Sequence, residues 1–181
     1  MGQSRRDVIR LGSASAVTFA IGGLTPREAR AQGVPIRNLG SRSVRVLEAF
    51  GEALAPGAKE AGIAHYVDAQ LGKPSADSLL MIRYLDVPPP YAPFYEAGLG
   101  ALDRAARAEF DEGFAFLKPD QATALITEMS QANPQGWEGP PAPLFYFVLR
   151  ADAVDVVYGT EEGFERLGVP YMPHIYPDTK W

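Results

Sequence analysis

Sixteen prolines punctuate this chain, and almost all of them fall between apolar runs and not inside them. Proline lacks a backbone donor and clashes with the preceding turn, so it ends helices and is barred from central strands. The runs it leaves repeat at three- and four-residue steps, the period of an amphipathic helix. Val44, Leu47, Phe50 and Leu54 form the first such stripe, stopped by Pro56-Gly57. A second helix is expected over residues 58–71, with Ile63, Val67 and Leu71 on one stripe and Gly72 just past its end. A third is expected over residues 78–86, carrying Leu79, Ile82 and Leu85. Residues 87–93, Val-Pro-Pro-Pro-Tyr-Ala-Pro, should run as an extended polyproline segment.

A fourth helix fits residues 94–110, with Leu99, Leu102 and Ala106 inward, and Phe114, Phe116 and Leu117 make an apolar knot after it. Pro119 suits the first position of a fifth helix, where its missing N–H costs nothing, and Asp120 suits the same end of the dipole. That helix carries Ala122, Leu125, Ile126 and Met129. Residues 136–143 read as a loop and residues 144–158 as a sixth helix, with Phe147, Ala151, Val154 and Tyr158 on one stripe. From Gly168 onward, three prolines and three large aromatics make an extended tail that must bury its rings on something. The expected fold is all-α: a compact bundle of about six helices with proline-rich joints and an extended aromatic C-terminal tail.

The first thirty-one residues read as an address and not as part of the bundle. Arg5 and Arg6 open a basic stretch, a small-residue apolar run follows from Leu11 to Leu24, and Ala29-x-Ala31 closes it. Basic region, apolar region and small-residue cleavage site in that order are a secretory leader. The paired arginines and the modest apolar run are similar to the twin-arginine type, which moves folded proteins. A run of fourteen residues is too short to span a bilayer, which takes about 20 apolar ones. The expected organisation is a leader, residues 1–31, and one helical domain, residues 32–181.

Charge and composition then remove whole classes of function. The chain has 17 basic and 22 acidic residues; without residues 1–31 it keeps 12 and 20, a net charge of −8. Such a chain is a poor partner for nucleic acid, whose phosphates need clustered Lys and Arg. With no cysteine there is no disulfide, no thiol nucleophile, no cysteine-held Fe–S cluster and no covalently attached haem in this chain.

Few residues are left to carry chemistry. Gly98-Leu99-Gly100 begins like a dinucleotide fingerprint, but residue 103 is Asp and the stretch lies in a helical pattern, so close helix packing is the better reading. His65 and Asp68, one helical turn apart, would need His174 and further carboxylates to converge before they held a metal. Asp111-Glu112 and Glu161-Glu162 are adjacent pairs, without the facing geometry of glycosidase carboxylates, and read as solvated faces. Trp137 could stack on a sugar or plug its own loop. The expectation is a chain with no catalytic set, no cofactor site and no metal site.

One set of short motifs points to a family. Pro56-Gly57-Ala58-Lys59-Glu60-Ala61-Gly62-Ile63 is followed by Tyr66-Val67-Asp68, then by Tyr95-Glu96-Ala97-Gly98-Leu99 with Leu102-Asp103. The series Phe114, Leu117, Gln121, Leu125 comes next, then Phe145, Leu149-Arg150 and Tyr158-Gly159, and Gly168-Val169-Pro170-Tyr171 near the end. In this order and spacing the chain resembles the gluconate 2-dehydrogenase subunit 3 family from about Leu47 to Trp181. The resemblance implies an all-helical accessory subunit exported by the twin-arginine translocase. Its partner would be a large flavoprotein dehydrogenase of the glucose–methanol–choline type, often joined by a cytochrome c subunit, acting on a sugar or alcohol. FAD, and haem where present, would sit on those partners. The location implied is the periplasm, at the outer face of the cytoplasmic membrane through the complex.

The segments least able to satisfy themselves are the expected partner interface, with packing on the chain's own helices as the alternative: Pro88, Pro89, Tyr91, Phe94 and Tyr95, and the tail residues Tyr171, Met172, His174, Tyr176 and Trp181. The competing reading is a stand-alone periplasmic protein that binds a small sugar, with Trp137 and the tail aromatics lining a cleft.

Overall fold

The computed structural model describes residues 23–170. Among them there is no strand, and seven α-helices appear in chain order: α1 (Pro26–Ala31), α2 (Ser41–Leu54), α3 (Ile63–Leu71), α4 (Ala92–Phe110), α5 (Pro119–Met129), α6 (Ala142–Tyr158) and α7 (Glu161–Arg166). Single 3-10 turns at Ser75–Asp77, Met81–Tyr84 and Phe114–Phe116 fill the joints. The all-α bundle expected from the periodicity is what forms. No helix among the described residues is long and apolar enough to cross a membrane.

Helix α2 is the central post. It packs on α3, α4, α5 and α6 and on the Phe114–Phe116 turn, burying Val46, Leu47 and Phe50. Its N-terminal residue is Gly40, which has no side chain with which to cap, so Glu96 of α4 caps it instead. Glu96 accepts from the Gly40 N–H (2.7 Å), a donor that a helix start leaves open, and from the Ser43 hydroxyl (2.6 Å). Helix α6 likewise borrows its cap: Asn133 accepts from the Ala142 N–H at 2.8 Å. Both caps tie a helix end to a distant element, so they help orient the bundle as well as close the helices.

An aromatic cluster joins α4 to α6. Phe145 stands within 5.5–6.4 Å, centroid to centroid, of Phe94, Tyr95 and Trp137. Its ring lies so close to α4 that a Cβ at Gly98 would fall 2.3 Å from Phe145 Cε2. Gly98 is therefore a packing glycine, as its place in a helical pattern suggested.

Several expected elements differ, for identifiable reasons. The second helix starts at Ile63, not at residue 58, because Gly57 and Gly62 adopt φ of +95° and +86° and turn the chain between them. Residues 78–86 form no α-helix. Gln70 accepts from the Leu79 N–H (2.9 Å), Asp152 from the Met81 N–H (3.2 Å), and Tyr66 donates to the Leu79 carbonyl (3.3 Å). Side chains of α3 and α6 thus take the backbone groups that a helix would have paired internally. Helices α4 and α6 start two residues earlier than expected, with Pro93 and Pro143 in their first turns, where proline is tolerated. The Phe114–Leu117 knot is split: Phe114 is buried while Phe116 is 66% exposed. Helices α1 and α7 were not foreseen at all.

The most informative difference lies in α6. The residues it buries are Phe145, Val148, Leu149, Asp152, Ala153, Val156 and Val157. Of the stripe singled out by spacing, Phe147 and Val154 face the other way, at 41% and 43% exposure, while Ala151 is half-buried and Tyr158 packs against the core. The outer face of α6 mixes exposed Phe147 and Val154 with an exposed Arg150 between them, and the described residues leave this face open.

Candidate functional site

Two titratable residues strongly altered by the fold are enclosed and hydrogen-bonded to each other. Asp152, on the inner face of α6, and Tyr95, on α4, are both 0% exposed. The Asp152 carboxyl accepts from the Tyr95 hydroxyl and from the Met81 N–H, which ties α6 to α4 and to the Met81–Tyr84 turn. Burial pushes the Asp152 carboxyl up to about 7; the Tyr95 and Met81 hydrogen bonds oppose this, and the charge of Asp155 adds to it. Burial and the neighbouring carboxylate push the Tyr95 hydroxyl well above its ordinary value. A substrate has no access to either group.

The pair gives a pH signature. Between about pH 4 and 7 the folded chain holds a proton on Asp152 that the unfolded chain has released, so stability falls as pH rises through this window and levels off above it. Burial raises Asp155 as well, with the same sign. Asp103 and Glu28 are held low, so the stability they contribute is present across this window and is lost only at more acidic pH. Asp152→Asn keeps an acceptor for Met81 and a group for Tyr95, and is expected to remove a slope on the order of 3 kcal/mol between pH 4 and 8. Melting curves of both proteins across that range measure it; parallel curves would exclude Asp152 as the titrating group.

A second polar hub shapes the surface. Asp103 of α4 accepts from the Phe114 N–H (2.9 Å), from Arg42 through Nε (2.7 Å) and Nη2, and from Arg107 Nε (3.4 Å). Burial alone would raise its carboxyl, but the Arg42 and Phe114 bonds and the two guanidinium charges outweigh it and hold the group low. This hub fixes the turn that sends Phe114 inward against Phe50 and Phe116 outward. Beside Phe116 lies a groove of about 520 Å³ lined by Ala49, Ala53, Leu117 and Ala122, with Arg45 at its edge. The groove's acids are already engaged: Glu48 pairs with Arg30 and Lys59, and Glu52 accepts from the Gly57 and Lys59 N–H groups. Arg45 makes no ion pair with any described residue. The groove suits an apolar side chain with a neighbouring carboxylate.

The residues singled out from sequence are distributed as follows. Arg5, Arg6, Tyr171, Met172, His174, Tyr176 and Trp181 lie outside the described residues. Pro88 and Pro89 are exposed, whereas Tyr91 and Tyr95 are buried and Phe94 is half-buried on the core. Ala29 and Ala31 lie in α1, and Ala29 is wholly buried. Trp137 is 9% exposed and donates from Nε1 to the Pro140 carbonyl (2.7 Å), so it plugs its own loop and lines no open cleft. His65 donates from Nε2 to the Val34 carbonyl (3.0 Å), and Asp68 is occupied by backbone N–H groups of residues 37–39. Among the described residues no three His, Asp or Glu side chains converge as a metal site. Sequence reasoning missed Phe116, Arg45 and the outward face of α6; for α6 the signal was present, since apolar residues recur all round the helix.

Comparison with known proteins gives one match. The family model described as gluconate 2-dehydrogenase subunit 3 covers residues 43–177, more than half of the chain. No curated protein and no solved structure matches.

Proposed function

Since the chain belongs to the gluconate 2-dehydrogenase subunit 3 family, we propose that it is the non-catalytic accessory subunit of a periplasmic flavin-dependent sugar or alcohol dehydrogenase. It binds the large flavoprotein subunit, stabilises it and supplies the twin-arginine export signal for both. FAD belongs to the large subunit, and haem to a cytochrome c subunit where the complex has one. The observation that carries the reading is the open face of α6, where Phe147 and Val154 stay exposed on either side of Arg150; covering such apolar side chains is favourable, and the family is that of one subunit of a dehydrogenase.

The contact is assigned to Phe147, Ala151 and Val154, with the exposed Pro88 and Pro89 and the residues 171–181 as further candidates. Aromatic anchors in interface cores contribute about 2 kcal/mol or more each. Phe147→Glu with Val154→Glu is therefore expected to abolish co-purification with the large subunit, while the isolated chain melts within about 2 °C of the parent. Intact co-purification would sink this assignment. Loss of co-purification with Phe116→Glu instead would move the interface to the Arg45 groove. A large drop in melting temperature would assign the stripe to the chain's own C-terminal residues.

A further inference from the structure

The end of the leader is built into the folded domain. Thr25 and Glu28 form a reciprocal cap on α1: the Glu28 N–H donates to Thr25 Oγ1 (3.2 Å) and the Thr25 N–H to Glu28 Oε2 (2.8 Å). Pro26 and Ala29 are buried against α3. Gly62, just before α3, sits against the Pro26 backbone so tightly that a Cβ there would lie 2.2 Å from the Pro26 carbonyl oxygen. The Val34 N–H returns to the Ala29 carbonyl (2.9 Å), and the Val34 carbonyl accepts from His65. The Asp68 carboxylate then gathers the N–H groups of Arg37, Asn38 and Leu39, and Leu39 is buried. Arg27 pairs with Glu60 and Glu162, and Arg30 with Glu48. Residues 25–39 are thus a strap laid over α3 and held along its whole length.

A leader peptidase reads small side chains three residues and one residue before the bond it cuts, here Ala29 and Ala31 before Gln32. Ala29 has 0% exposure and sits in a capped helical turn. To enter a peptidase it must leave the core, α1 must unwind, and the Val34–Ala29 hydrogen bond must break. Proteolysis of such a site follows the population of the locally opened chain, not the sequence.

We propose that docking of this strap masks the Ala29-x-Ala31 cleavage site, so that a chain that folds before export keeps its first 31 residues. This rests on the leader reading of residues 1–31 and adds a folding-dependent gate to it. Processing is possible only before the strap docks, and a retained leader holds the accessory subunit, with whatever it binds, to the export route or the membrane surface.

The test exposes the purified full chain to leader peptidase in detergent beside a synthetic peptide of residues 20–36, with intact mass as the readout. The peptide is expected to be cut after Ala31, and the folded chain at least about 100-fold more slowly. Two variants that leave the motif untouched, Gly62→Ala and the milder Thr25→Ala/Glu28→Ala, are expected to bring the rate toward that of the peptide while circular dichroism stays helical. Equal cutting of native chain and peptide overturns the proposal. So does a folded, strap-loosened variant cut no faster than the parent. If the peptide itself is not cut there is no site to mask; that overturns the proposal through its leader premise and is told apart from strap failure by the peptide alone.

Discussion

Replacing Arg5 and Arg6 together by lysine is expected to leave both this chain and its large dehydrogenase subunit in the cytoplasm. Twin-arginine signals are read as addresses by a receptor, and lysine keeps the charge but loses the planar guanidinium fork. The effect reaches the partner because the proposed export unit is the folded complex, with its address proposed to lie in the arm beginning at Arg5. Periplasmic dehydrogenase activity and the amount of large subunit in that fraction should each fall about tenfold or more. Unchanged export of the large subunit would refute the shared-address reading, even if this chain stayed behind. Read together with the α6 variants, the result separates two failures: loss of binding leaves this chain exported alone, whereas loss of the address strands both.

The second large effect concerns two glycines on one helix with opposite expected signs. Gly98→Ala should destabilise the fold by about 2–3 kcal/mol, because the new methyl meets the Phe145 ring at 2.3–2.5 Å and must displace it from the Phe94–Tyr95–Trp137 cluster. Gly100→Ala should stabilise by about 0.5–1 kcal/mol, the ordinary gain of alanine over glycine in a helix, since its methyl meets only the movable end of Arg104 at 3.4 Å. In melting temperature the pair should split by roughly 5–15 °C. Similar shifts for both would mean that the α4–α6 contact is looser than its geometry implies.

Those two glycines mark how far sequence reasoning reaches. The spacing of Leu99, Leu102 and Ala106 is enough to place α4 and its inner face, since a helix of 3.6 residues per turn repeats every three or four positions. It also favours packing over nucleotide binding for Gly98 and Gly100. It cannot say that Gly98 touches a ring and Gly100 does not, because Phe145 lies some fifty residues away. Residues 78–86 teach the same lesson from the other side. Their apolar steps fit a helix, but Gln70, Tyr66 and Asp152 intercept their backbone groups, and no local pattern carries that information. In α6 periodicity offers two stripes of nearly equal apolarity, so only neighbours can choose between them. The candidate site was less legible than the fold for this reason: Phe116, Arg45 and the outer face of α6 are defined by what fails to cover them.

What the sequence alone determined was the class of fold and the family, because proline placement, helical period and motif order are all local properties of the chain. The tertiary structure decided which faces are spent on the core and which stay exposed. It also decided that Pro26 and Ala29, which the sequence pattern assigns to a leader, pack as part of the domain. The physical reason is shared. Burial and the capture of backbone donors by distant carboxylates, Asp68, Glu96 and Asp152 here, are long-range events, and a local pattern can permit them but cannot specify them.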